Sequence, residues 1–171
     1  MFTVEQNYDL AGLTVLCRAA RKKVRRGMRV LRGAVWAVFS VAAALFAFEL
    51  ATGSFHSDDV VLPISAVVLL SFLLLEDRLN AWVALRQMLP GTARSTTVFR
   101  DEGYTVTTEK TETHWQYDGV TALVESERYF IFFLGKKHGQ LFDKRGFRQG
   151  DPDAFRVWLA QKTGKTFQTI Q

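Results

Sequence analysis

Three histidines, one cysteine and a late Gly-Lys-Thr triplet are the side chains of this chain whose types could support chemistry. A metal site needs several His, Cys or carboxylate ligands at set spacings. His56, His114 and His138 stand far apart, and no HxxxH, HExxH or paired CxxC occurs. Gly164-Lys165-Thr166 imitates the end of a phosphate loop, but Leu159 stands where that loop needs its first glycine, and the triplet follows an expected helix instead of opening one. Ser95, Ser126 and Cys17 lack a neighbouring base, and the adjacent carboxylates Asp101 and Glu102 read as a turn. No catalytic, metal-ligating or cofactor-binding residue is therefore expected, and an enzyme is not the expected class.

The charged residues are more informative. Lys136, Lys137, Lys144, Arg145 and Arg148 would make a phosphate-binding patch if the loop at 135–139 and the segment at 143–148 met at one edge of a sheet. The plainer reading is solvated cations on two loops. A second group, Arg18, Arg21, Lys22, Lys23, Arg25, Arg26, Arg29 and Arg32, runs with no acid between its members and by itself exceeds the net charge of +5, the remaining chain being slightly acidic overall. It precedes the most apolar part of the chain, which is the arrangement of the positive-inside rule.

That apolar part reads as a two-helix transmembrane hairpin. The stretch 31–51 is apolar apart from Arg32, Ser40 and Glu49, and a helix of about 21 residues rises about 31 Å, enough to span a hydrocarbon core. A second span is expected over 60–78, with Pro63 tolerated in its first turn. The link at 52–59 holds two aspartates and no lysine or arginine, so it is assigned to the outer side, with both termini cytoplasmic. Glu49, near that outer end, reads as snorkelling to water.

Both helices are expected to continue past the bilayer. Leu10, Leu13, Cys17, Ala20, Val24, Met28 and Leu31 recur at helical spacing, with the arginines largely around the other side, so that 1–30 reads as an N-terminal segment and a basic amphipathic helix. That helix suits packing as a stalk and contact with anionic lipid. The lack of interleaved aromatic residues argues against nucleic acid. The hairpin and its extension occupy 31–90, ending at Pro90-Gly91.

The remaining 91–171 changes to short β-branched and aromatic runs, predicting strands at 96–100, 104–108, 112–117, 120–125, 129–134 and 140–143. Asp101-Glu102-Gly103 should turn the first pair, and Gly135 to Gly139 the last. Pro152 after Asp151, with Phe155, Trp158 and Leu159 at helical spacing, predicts an amphipathic helix ending near Gly164 that plugs the open end of the sheet. The alternating segment 2–6 could add an edge strand.

The order of basic helix, two close spans, Phe99-Arg-Asp-Glu-Gly103, Trp115-Gln-Tyr117 before Val120, and Asp143-Lys-Arg-Gly-Phe147 before Phe155 resembles the YcxB-like membrane proteins of bacteria. The resemblance implies a pleckstrin-homology-like (PH-like) sheet and helix at the cytoplasmic face of a bacterial plasma membrane, and brings no catalytic residues. The expected fold is thus α+β: a transmembrane hairpin with cytoplasmic extensions, then an antiparallel PH-like sheet capped by a C-terminal helix. The expected role is a membrane-anchored, non-enzymatic module whose cytoplasmic domain binds a protein partner or a lipid headgroup, without a cofactor. The alternative is a structural or regulatory subunit acting through its membrane helices, as a homo-oligomer built on small residues such as Gly33, Ala37, Ala42 and Ala43.

Overall fold

The computed structural model describes residues 1–24, 28–53, 60–135 and 138–170. The expected outer link therefore falls mostly outside the described residues, as do His56, Arg25, Arg26, Lys136 and Lys137.

The chain opens with strand β1 (Phe2–Asn7) and helix α1 (Leu10–Ala19), whose last turn widens into a π-helical segment over Ala20–Val24. Asp9 caps α1 by accepting from the Gly12 N–H at 2.7 Å. Two long helices follow, α2 (Met28–Thr52) and α3 (Val61–Gln87), packed side by side. Among the described residues, Arg32–Thr52 is the one stretch long and apolar enough to cross a membrane by length and composition. In α3 the apolar run stops at Glu76, Asp77 and Arg78, so the second expected span does not meet the same test.

Then come β2 (Arg94–Phe99), β3 (Tyr104–Thr108), β4 (Glu112–Trp115), β5 (Ala122–Glu125), β6 (Tyr129–Leu134), β7 (His138–Asp143), β8 (Phe147–Gln149), α4 (Pro152–Thr163) and β9 (Phe167–Thr169). They form two sheets where one antiparallel meander was expected: β4-β3-β2-β1-β8 and β7-β6-β5-β9. The β5–β9 pair is parallel, so the polar tail is a structural element, with Ile170 buried and its N–H donated to the Glu125 carbonyl.

The segment expected as an edge strand is interior. Along β1, Phe2 to Asn7 pair with Phe99 to Arg94 of β2 on one side, while Thr3 and Val4 meet β8 on the other. The ladder continues through the Tyr8 N–H to the Ala93 carbonyl at 2.8 Å. The whole helical section 9–92 is thus an insertion between two adjacent antiparallel strands, and both of its ends emerge at one point of the sheet.

Strand β6 explains the layering. Its alternation sends Phe130 and Phe132 into the core between the sheets, and Tyr129, Ile131 and Phe133 to the opposite face. Helix α1 covers that second face with Val15, Leu16 and Ala19, followed by Ala20 of the π-helical segment, and is itself wedged between the four-stranded sheet and α3. At the end of the inter-sheet core, α4 inserts Phe155, which is fully buried with ring centroids 4.7 Å from Phe99 and 5.1 Å from Phe147. The helix starts at Pro152 behind the Asp151 cap and stops at left-handed Gly164, φ 64°.

The strand expected at 112–117 ends early because Tyr117 turns inward. Its hydroxyl lies 2.8 Å from the Arg100 carbonyl and 3.0 Å from that of Gly103, bracing the β2–β3 turn. Gly103 is required there, since a Cβ would sit 2.4 Å from the Trp115 carbonyl oxygen.

Candidate functional site

The basic cluster that runs into the start of α2 has several of its cations paired. Acidic side chains stand one helical step beyond the apolar run of α3, and α1 crosses them. Arg21 forks onto Asp77, donating Nε–H to Oδ1 at 2.8 Å and a terminal N–H to Oδ2 at 2.5 Å, while Arg18 Nε lies 3.9 Å from Oδ2. The hydrogen bond to Asp77 holds the Arg21 guanidinium above its ordinary value against the opposing cost of burial. Arg32 Nη1 approaches Glu76 at 3.5 Å. Arg18, Arg21 and Arg32 therefore face acidic side chains of α3, whereas the sequence puts the arginines largely around the side away from the apolar stripe. Lys22 and Lys23 are half-buried, and the side chain of Arg29 lies outside the described ones.

Of the five cations expected to form a patch, Lys136 and Lys137 lie outside the described residues, and Lys144, Arg145 and Arg148 have different surroundings. β7 runs six residues, His138–Asp143, so its two ends lie about 20 Å apart. Lys144 at its far end donates to Glu125 at 2.7 Å and sits over the Phe130 ring. Arg148 pairs with Glu5 at 2.9 Å. Arg145, in the turn between β7 and β8, is exposed and donates its backbone N–H to Asp143.

What the fold assembles instead is a groove of about 630 Å³ on the outer face of the five-stranded sheet, where Arg145 and Arg148 are joined by Arg94. Alternation fixes which residues face it. In β2 the side chains of Ser95, Thr97 and Phe99 are buried toward the core, leaving Arg94 and Thr96 outward. In β1 the outward residues are Glu5 and Asn7, opposite Thr96 and Arg94 in the register. Thr107 continues the row on β3, and Glu109 closes the far rim. Gly146 lets the β7–β8 turn lie on β1, because a Cβ there would sit 1.9 Å from the Glu5 carbonyl oxygen. Sequence reading missed Arg94. The signal was its position one alternation step ahead of Thr96, but nothing local placed Arg145 two strands away.

A wider cleft of about 1180 Å³ opens beside the free edge of β4, between Trp115 and Gln116 on one wall and Thr121 and Leu134 on the other. Its carboxylate Asp101 is held below the ordinary range by the Lys162 ammonium, 2.7 Å away. His114 is occupied at the surface, with Nδ1 2.8 Å from the Thr105 hydroxyl and Nε2 3.5 Å from Glu112. The phenols of Tyr104 and Tyr117 are pushed up by burial, and Tyr104 donates to Gln140 at 2.8 Å. Among the described residues, no three His, Cys, Asp or Glu side chains are grouped as metal ligands would be.

Compared with known proteins, the stretch 99–159, from the end of β2 to the middle of α4, is YcxB-like: it matches the family model described as YcxB-like protein. No curated protein and no solved structure matches the chain.

Proposed function

We propose, on the premise of that YcxB-like stretch, that the chain is a membrane-anchored, non-enzymatic binding module. In this reading α2 and α3 insert as a two-span hairpin, both termini face the cytoplasm of a bacterial plasma membrane, and the PH-like unit of β1–β9 and α4 is the binding part.

The observation that carries the reading is the apolar surface of the inserted hairpin. Val38, Val41, Leu45, Phe48, Ile64, Val67, Phe72 and Leu74 are all exposed, a continuous apolar face that water would not leave uncovered. Two further features support the second span. Glu76 and Asp77 interrupt its apolar run, but they are met by Arg32 and by Arg18 and Arg21, which lowers the cost of holding carboxylates at an interface. Pairing of β1 with β2 returns the chain to the sheet it left, so a hairpin crossing twice suits the fold and a single crossing does not.

The test uses a Cys17→Ser background with one new cysteine, at His56→Cys in the link or Thr166→Cys in the domain. In intact cells a membrane-impermeant maleimide should label position 56 and spare position 166, and alkaline carbonate should leave the protein in the membrane pellet. Labelling at 166, or release by carbonate, would refute the topology. Of the two ligands that the sequence suggests for the domain, a protein or a lipid headgroup, the three-arginine groove favours an anion.

A further inference from the structure

We infer that the groove over β1 is a binding site for a phosphate group, with Arg94 and Arg145 as its anchors and Glu5 as the residue that limits its affinity. The inference rests on the proposed reading of the domain as a binding part, and names its ligand chemistry.

Three observations converge. First, the sheet register sets the anchors at a useful separation: Arg94 is on β2 and Arg145 in the turn leading into β8, with β1 between them, so their backbones are about 10 Å apart, two strand spacings. Two long guanidinium side chains on either side of one strand can both reach an anion seated above it. Second, both anchors are exposed, and neither has a carboxylate partner among the described residues, whereas the third cation, Arg148, is tied to Glu5 at 2.9 Å. Third, the floor between them is made of neutral hydrogen-bonding side chains, Asn7 and Thr96. Planar guanidinium forks match phosphate oxygens in pairs, and hydroxyl or amide donors can serve the remaining oxygen.

The opposing charges are Glu5 and Glu109. Glu5 is neutralised by Arg148, which leaves Arg94 and Arg145 against Glu109 and a net positive groove. Removing the Glu5 charge frees Arg148 to become a third anchor, so this substitution should strengthen binding. A mere loss of structure cannot produce that result.

The chemistry is common to a free phosphate and to the phosphomonoester of an anionic lipid, and the test separates them. Full-length protein in phosphatidylcholine nanodiscs is titrated with inorganic phosphate and, separately, with short-chain phosphatidic acid, and binding is read from ³¹P line broadening of each probe. Wild type should bind at least one probe. Arg94→Ala/Arg145→Ala should weaken that binding by about tenfold or more, and Glu5→Gln should tighten it severalfold. Far-UV circular dichroism confirms that each variant is folded, and Arg100→Ala, outside the groove, should bind as wild type does. Binding of inorganic phosphate alone supports the site with a soluble ligand, and binding of phosphatidic acid alone supports it with a lipid one. A folded wild type that binds neither probe, or a double variant that binds equally well, overturns the inference. Carbonate extraction of the same chain separates the two readings. Phosphate binding by a chain that carbonate releases leaves the groove standing without the anchor, and an anchored chain that binds neither probe removes the groove alone.

Discussion

Asp77 is where α3 is joined by charge to α1, the helix that covers the four-stranded sheet, and replacing it with leucine should loosen α1 from α3. The side chains of Asp77 and Arg21 are only 13% and 20% exposed, and their contact is a two-pronged fork. Removing one partner of a fully buried pair costs about 3–5 kcal/mol, because the other charge is left without compensation. A fifth of Arg21 still meets solvent and the Arg18 contact is loose at 3.9 Å, so the expected cost here is about 2–3 kcal/mol. At 1.4 kcal/mol per decade this raises the open population of α1 about 30- to 150-fold. Hydrogen exchange followed by mass spectrometry, on the protein in nanodiscs, reads that population from peptides covering 10–24. Pairing Asp77→Leu with Arg21→Met should recover most of the protection, since two apolar side chains replace a pair that was costly to desolvate. Unchanged exchange in Asp77→Leu would refute the reasoning, as would a double variant no better protected than the single one.

Phe155→Ala empties the centre of the inter-sheet core and should cost about 3–5 kcal/mol, seen as loss of the near-ultraviolet circular dichroism of the surrounding aromatic residues. Gly146→Ala puts a methyl group onto the Glu5 carbonyl and should destabilise the β1–β8 pairing by about 1–3 kcal/mol, measured as a lower midpoint of chemical denaturation. Burial raises the Tyr104 and Tyr117 phenols, so the folded state holds protons that the unfolded state releases above about pH 10. Stability should then fall with rising pH from that point, by up to about 1.4 kcal/mol per unit for each tyrosine. Denaturation midpoints at about pH 9 and pH 11 check this, and Tyr104→Phe should flatten the difference.

The elements legible in the residues are those whose signals are local. β3 and β6 fall where alternation and β-branched or aromatic runs put them, at Tyr104–Thr108 and Tyr129–Leu134, and α4 carries both its proline start and its glycine stop. Where a local signal competed with a long-range one, the reading slipped. Tyr117 looked like the end of a strand until its hydroxyl was spent on the β2–β3 turn, and the tail after Gly164 looked merely polar although Ile170 closes the second core. The candidate site shows the same division. Arg145 and Arg148 stood out as cations near one turn, but Lys144 beside them is consumed by Glu125, a partner 19 residues upstream.

The sequence by itself determined that the chain is α+β, that an apolar segment bordered by arginines precedes a β-rich part ending in a capped helix, and that the usual catalytic and metal motifs are lacking, because periodicity, capping and spacing act over a few residues. Only the tertiary structure decided that β1 lies inside a sheet, paired with a strand that begins 87 residues after β1 ends, and that Arg21 meets Asp77 across 56 residues. It likewise decided that Arg94, Arg145 and Arg148 share one groove. Pairings of this kind depend on which faces remain unburied once the two sheets and α1 have packed, and no window along the chain contains that balance.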